Sequence, residues 1–317
     1  MGQLRILLSI SELDASFEMM VNRLSEYAEV SVCDLENYDL ENYDIFIGKK
    51  LKEEKLVNAN KLKYIFAYKT GVDDFPLSAL EERGIVLLNS HADSEIIAEY
   101  AFGLSISLVN RINEFDLNLR NGIWYDDKNM YWRSFFGMKV GLFGYGHIGK
   151  AIHRILKIAQ VKTYTIDRGH DYKDINLVNS LEELVNECDI IISSVPKTAD
   201  TNNLFNAQIF DLMEGKYIVN VGRSNVINQK DLYNYLKENK IGGAAIDTWD
   251  AKPKKKNQIL LPSKEPFQEL DNIILSPHAA MRVIDGHYRY VSDVTNNIID
   301  MINGKPLRNV VDLKKGY

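Results

Sequence analysis

Short runs rich in apolar residues, set between longer stretches of helical period, leave this chain few ways to fold. They include RILLSI at 5–10, IFIG at 45–48, LKYIFA at 62–67 and IVLL at 85–88. A strand with one wet face alternates apolar and polar residues, whereas a run apolar at successive positions needs cover on both faces. That is the condition of a parallel sheet held between helices. The rhythm restarts with VGLFG at 140–144, VKTYTI at 161–166, DIIISSV at 189–195, YIVNVG at 217–222 and GAAID at 243–247, and closes with IILSPH at 273–278. The expected fold class is therefore α/β, with two doubly wound parallel sheets following one another. Residues 94–120 read as one long helix crossing between domains, opened by Asp93 or Ser94 as N-cap and stopped at Asn121-Gly122. A second amphipathic segment at 283–302, closed by Asn303-Gly304 and Pro306, is expected to carry the chain back.

Length and composition narrow the function. The chain has 317 residues, 45% hydrophobic and 26% charged, with a formal charge of −6, which excludes disorder, collagen and coiled coil and fits two domains. A mildly acidic balance gives no electrostatic reason to bind nucleic acid or an anionic membrane, so the expected partner is a small molecule. No apolar stretch is long enough to span a membrane, and the start MGQLRILLSI lacks the form of an export signal, so a cytoplasmic location is expected. Cys33 and Cys188 lack CxxC spacing and suit a reducing compartment as free thiols. No cluster of metal-ligand residues appears, so no metal is expected. KPKKK at 252–256 reads as a solvated loop.

The chemistry starts at Gly144, Gly146 and Gly149, which form GxGxxG between the apolar run VGLF and the helical segment AIHRILKIA. The order is the one a dinucleotide site of Rossmann type requires. The first glycine makes the tight turn, the second lets backbone approach a pyrophosphate, and the third lets helix pack closely on strand. The pyrophosphate then meets the free N–H groups of the helix N-terminus. The next run ends at Asp167, about 20 residues further on, where a carboxylate accepts hydrogen bonds from a ribose diol. A carboxylate there repels a 2′-phosphate, so NAD is expected over NADP, with Arg168 placed to soften the preference.

At this point the sequence resembles the D-isomer-specific 2-hydroxyacid dehydrogenases, a family that includes D-3-phosphoglycerate dehydrogenase, D-lactate dehydrogenase and the glyoxylate/hydroxypyruvate reductases. The resemblance runs through TGVDDFPLSALEERGIVLLNSHADSEIIAEYAFGL at 70–104, VGLFGYGHIGKAI at 140–152, VNVGRSNVINQKDLYNYLKENKIGGAAIDTWD at 219–250 and DNIILSPHAA at 271–280. It implies a substrate domain of residues 1–98 and 283–317, an NAD-binding Rossmann domain of residues 99–282, and an active site in a cleft where the carboxyl edges meet. It also implies that Arg223 clamps the substrate carboxylate and keto oxygen, a task suited to a planar two-pronged guanidinium, and that His278 is the acid/base. By the same resemblance Asp247 holds the nicotinamide carboxamide. His147, Ile148, Val195, Pro196, Val221, Gly222, Arg223, His278 and Ala280 join Gly144, Gly146, Gly149 and Asp167 at cofactor-facing positions. The resemblance also places Lys69, Thr70 and Gly71 in the family's loop whose N–H groups hold the substrate carboxylate.

Two departures stand out. Where the family has a glutamate that pairs with the histidine, this chain has Lys252, whose charge would disfavour imidazolium and weaken proton supply to a ketone. Lys69 stands where a small residue is usual. Facing the same cleft, the two lysines would bind an anionic tail, as in 3-phosphoglycerate or a 2-keto diacid; otherwise both ammonium groups reach to water. Lys252 also keeps open an alternative function, a catalytically weak dinucleotide-binding regulator resembling the NAD-sensing corepressors. A change of donor, as in formate or phosphite dehydrogenases, is a third reading. The aromatic segment WYDDKNMYWRSFFG at 124–137 resembles the family's dimerisation arm, so a homodimer is expected.

Overall fold

The computed structural model describes residues 3–124, 131–169, 172–251, 253, 255, 258–284 and 286–317. The chain divides into two compact units, Met1–Asp93 with Val283–Tyr317, and Ser94–Arg282. Among the described residues no helix is long and apolar enough to cross a membrane.

The first unit is built on a five-stranded parallel sheet in the order β2-β1-β3-β4-β5. Its strands are β1 (Arg5–Ser9), β2 (Glu29–Cys33), β3 (Ile45–Gly48), β4 (Tyr64–Ala67) and β5 (Val86–Leu88). Successive residues point to opposite faces, and each face has its own core. Ile6, Leu8, Ile45, Ile47 and Phe66 pack on α1 (Ala15–Ser25) and on a C-terminal helix, Gly286–Ile302. Leu7, Phe46, Ile65 and Leu87 pack with Leu80 of α2 (Leu77–Glu82).

The second unit carries seven parallel strands in the order β12-β11-β10-β9-β6-β7-β8. They are β6 (Lys139–Phe143), β7 (Lys162–Ile166), β8 (Asn176–Val178), β9 (Ile190–Ser193), β10 (Tyr217–Asn220), β11 (Gly243–Ile246) and β12 (Ile273–Leu275). From β6 the chain winds one way through β7 and β8, then returns to β6's other side for β9 onward. The order therefore reverses between β6 and β9, and the carboxyl edge at such a switch point is where open α/β sheets bind ligands. Ile190, Ile192, Val219 and Ala245 face α3 (Ser94–Val109) and α5 (His147–Ile158). Ile191, Ile218, Ala244 and Ile246 face α6 (Leu181–Glu187), α7 (Ala207–Phe210) and α8 (Gln229–Lys237).

The two doubly wound sheets are as the apolar runs predict; the single helix over 94–120 is not. The chain breaks at Arg111, which adopts the left-handed conformation at φ 56°, and a separate α4 (Ile112–Arg120) follows. Arg111 pairs with Glu114, and its guanidinium donates to the carbonyl of Tyr131 at 3.1 Å. These bonds hold the break without a glycine or proline to announce it. The C-terminal helix, α9, begins at Gly286.

Candidate active site

Every strand of the second sheet runs the same way, so the residues just past β6, β7, β9, β10, β11 and β12 gather on one edge. There stand Gly144, Asp167, Val195-Pro196, Val221-Gly222-Arg223, Asp247 and His278.

The glycines divide by what needs them. Gly144 has φ +106°, and a Cβ on it would lie 3.0 Å from Val195 Cγ1. A Cβ on Gly149 would overlap the carbonyl oxygen of Gly144, so only glycine lets α5 start this close to β6. A Cβ on Gly146 would meet no protein atom within 4 Å. Gly146 is the N-cap of α5, and no side chain caps the helix there. His147 and Ile148 follow in the first turn, whose N–H groups have no partners within the helix. The turn is thus a cradle that a pyrophosphate fits and that a methyl group would fill. Burial, and then the charge of Lys150, hold the His147 imidazole below the usual histidine pKa, which favours its neutral form.

Asp167 is exposed; its Oδ1 accepts from Gly169 N at 2.8 Å, and its Oδ2 carries no protein hydrogen bond among the described residues. The N–H of Arg168 donates to Tyr172 Oη at 2.9 Å, fixing the turn that presents the carboxylate.

Gly222 lets two loops meet, since a Cβ there would lie 2.7 Å from the carbonyl oxygen of Val195. Val221 and Ala280 place their side chains in the core against α3 and α5. Arg223 is half-buried, with Nη1 donating to Gly222 O at 3.2 Å. The buried Asn220 braces this turn: its amide donates to Arg223 O at 3.0 Å and to Thr248 Oγ1 at 3.1 Å, and its oxygen accepts from Gly222 N at 3.2 Å.

His278 is exposed and left-handed at φ 55°, an unusual conformation for a side-chain-bearing residue. Asp247 holds it there. This carboxylate, 1% exposed, accepts from the N–H of Ala279 at 2.7 Å, the N–H of Ala280 at 3.2 Å and the Ser276 hydroxyl. Trp249 Nε1 donates to Ser276 O at 2.9 Å, and Tyr100 Oη lies 3.0 Å from Ser276 Oγ. Asp247 therefore fixes the chain on both sides of His278. Asn220, Ser276 and Tyr100 escaped the sequence reading; a polar residue ending the apolar run YIVN is the one local signal for Asn220. Asp247→Asn places an amide donor against two backbone donors. It is expected to destabilise the protein by about 1–3 kcal/mol, read as a lower Tm with a larger loss of kcat than of cofactor affinity.

On the first unit, the loop after β4 holds Lys69, Thr70 and Gly71. Among the described residues neither Thr70 N–H nor Gly71 N–H donates to a protein acceptor. Lys69 has a partner within its own loop. Its ammonium lies 2.5 Å from Asp74 and 5.6 Å from the centre of the Phe75 ring. Lys252 lies outside the described residues, as do residues 125–130 of the aromatic segment.

Residues 102–280 match the model of the NAD-binding domain of the D-isomer-specific 2-hydroxyacid dehydrogenases. The chain belongs to that family. A glyoxylate reductase of Thermofilum pendens is 30% identical over 266 residues, which is 81% of this chain and 76% of the relative. A D-3-phosphoglycerate dehydrogenase of Methanocaldococcus jannaschii is 29% identical over 273 residues, 84% of this chain but 50% of that longer protein. The crystal structure of a protein from Pyrococcus horikoshii OT3 superposes with a TM-score of 0.84 at 26% identity, covering 98% of this chain and 96% of that one. Both named relatives are enzymes, which gives the regulator reading no support. As a family member the chain takes a nicotinamide dinucleotide, and the cradle at Gly146 fits one.

Proposed function

We propose that this family member is an NAD-dependent D-2-hydroxyacid dehydrogenase in which Arg223 and His278 carry the chemistry. The observation that carries the reading is one sheet edge with a glycine turn open to a diphosphate, and a guanidinium and an imidazole on strands either side of a buried carboxylate. Parallel neighbours stand about 4.8 Å apart, so β10 and β12, with β11 between them, lie about 10 Å apart, a span that two long side chains can narrow around a small keto acid. The bound nicotinamide supplies and takes up the hydride. Arg223 grips the carboxylate and keto oxygen through paired N–H groups and polarises the ketone. His278 gives its proton to the developing alkoxide on reduction and accepts one on oxidation. Thr70 N–H and Gly71 N–H suit the substrate carboxylate. Oxidation of NADH by the purified protein with a 2-keto acid, giving the D-hydroxy acid, tests the reading; no turnover across a panel of keto acids would refute it.

NAD is preferred because the free Oδ2 of Asp167 repels a 2′-phosphate. The repulsion runs from about 1 kcal/mol in water-like surroundings to about 4 kcal/mol at an effective dielectric of 20, and exposure of Asp167 sets it toward the lower end. The kcat/KM for NADH is expected to exceed that for NADPH by about tenfold or more, and Asp167→Ala to reduce that ratio about tenfold. Equal values in the wild type would overturn the assignment.

The finer substrate reading is an acid with an anionic tail. Lys69 is paired with Asp74, so the support comes from the next strand. Lys49 follows Gly48 of β3, which is paired with Ala67 of β4, and its Nζ sits 5.1 Å over the Tyr68 ring. Among the described residues it belongs to no ion pair. Partial burial, and then the charge of Lys69, hold its ammonium below the usual lysine pKa, a condition that an arriving anion relieves. Lys49→Met is expected to raise KM about tenfold for dianionic keto acids, through one lost charge-assisted bond, and to leave pyruvate unchanged. A wild type that prefers pyruvate or glyoxylate to every dianion would remove the tail.

The homodimer belongs to the same reading. Trp124, Tyr131 and Phe136 are 73%, 82% and 77% exposed in the single chain, and aromatic side chains suit an interface core. A monomer mass by light scattering would refute it.

A further inference from the structure

The geometry points to Asp93 and Tyr290 as positioning residues for the loop at 69–71, a role that rests on the dehydrogenase reading. Among the described residues the Thr70 and Gly71 N–H groups have no protein acceptor, while the loop's carbonyls at 69 and 70 and its Thr70 hydroxyl are all bonded. Thr70 O accepts from Asn89 Nδ2 at 2.7 Å, and Lys69 O accepts from Ser90 N at 3.2 Å. Thr70 Oγ1 lies 2.8 Å from both Asp93 Oδ1 and Ser90 O, so its single proton has two acceptors.

The segment that holds the loop is itself held by α9. Tyr290 Oη donates to Asp93 Oδ2, and Ser90 Oγ donates to Asp293 Oδ2 at 2.6 Å. Tyr290 and Asp293 stand three residues apart, hence on one helix face. The result is a chain of bonds from helix α9, through residues 89–93, to the loop.

Burial sharpens the point. Asn89, Ser90, Asp93 and Tyr290 are each 6% exposed or less. A buried carboxylate bridging two hydroxyls gains little stability over an apolar group of the same shape, because desolvation offsets the bonds. What a connected polar network does supply is a single arrangement. Here it fixes the side-chain rotamer of Thr70 and with it the direction of the Thr70 and Gly71 N–H groups. Asp93 and Tyr290 act on substrate through Thr70, touching neither substrate nor cofactor.

The test compares two substitutions on α9. Tyr290→Phe removes one donor to Asp93 and keeps the ring in the core; Val294→Ala, at a position 2% exposed, opens an apolar cavity in the same helix. Tyr290→Phe is expected to raise KM for the keto acid on the order of tenfold, with kcat within about threefold and the NADH dissociation constant unchanged. Val294→Ala is expected to lower Tm at least as far and leave KM alone. Asp93→Asn, which accepts from one hydroxyl but not both, should give a smaller rise in KM and serves if Tyr290→Phe does not fold. Combining Tyr290→Phe with Thr70→Val should raise KM by less than the product of the single effects, because both break the same chain. Unchanged KM in Tyr290→Phe and Asp93→Asn, or KM that follows Tm equally in Val294→Ala, overturns the role while leaving the dehydrogenase standing. A wild type that reduces no 2-keto acid brings down both.

Discussion

His278→Asn is expected to bind NADH as the wild type does and to reduce 2-keto acids with kcat lower by a factor of about 10²–10⁴, the usual contribution of a positioned general acid. Asparagine is the informative replacement because of the backbone. His278 sits at φ 55°, where asparagine is well tolerated but alanine carries strain of roughly 1–2 kcal/mol. His278→Ala would therefore mix a conformational penalty with a chemical one. With asparagine the bonds from Ala279 N–H and Ala280 N–H to Asp247 persist, Tm should stay within a few degrees, and the loss falls on proton transfer. Cofactor fluorescence measures binding, and single-turnover kinetics isolates the chemical step. A kcat within threefold of wild type would remove His278 from the mechanism. Arg223→Gln should by contrast raise KM as well as lower kcat, because the guanidinium grips the substrate before and during reaction.

The place of those two residues just past the carboxyl ends of apolar strands was legible in the sequence; the scaffolding beneath them was not. Continuous apolar runs declared strands covered on both faces, and the structure divides Ile190, Ile191 and Ile192 between the two cores accordingly. β2 and β8 escaped because each lies at a sheet edge and is partly wet, so EVSVC and NLV show no apolar run. The break at Arg111 escaped because tertiary partners hold it rather than a local breaker. The glycine turn was readable because its chemistry is contained in six residues. The Asp93–Tyr290 bond joins positions 197 apart, and no local pattern encodes that. Asp74, five residues from Lys69, was visible in KTGVDD and would have warned that this lysine has a partner of its own.

Gly146→Ala and Gly149→Ala are expected to fail in different ways, and the contrast tests the cofactor site directly. A methyl group on Gly149 overlaps the carbonyl oxygen of Gly144, so the start of α5 has to move off β6, disturbing Ala151, Ile152 and Leu156 in the core. Such overpacking costs about 1–3 kcal/mol, which for a domain of this size lowers Tm by several degrees, at about 2–4 °C per kcal/mol. The helix N-terminus shifts with it, so NADH affinity falls too. A methyl group on Gly146 meets no protein atom, and its backbone, at φ −78° and ψ −154°, is extended and open to alanine. Gly146→Ala should therefore keep the Tm of the wild type to within about 1–2 °C, since it adds no contact and removes none. Its NADH dissociation constant should rise about tenfold or more, because the methyl group occupies space that the backbone leaves for a diphosphate. The protein's own packing explains Gly149; no packing contact explains Gly146, and the proposed diphosphate does. If Gly146→Ala binds NADH as tightly as the wild type, the diphosphate does not lie against this turn, and Arg223 and His278 lose the hydride partner on which their assignment depends.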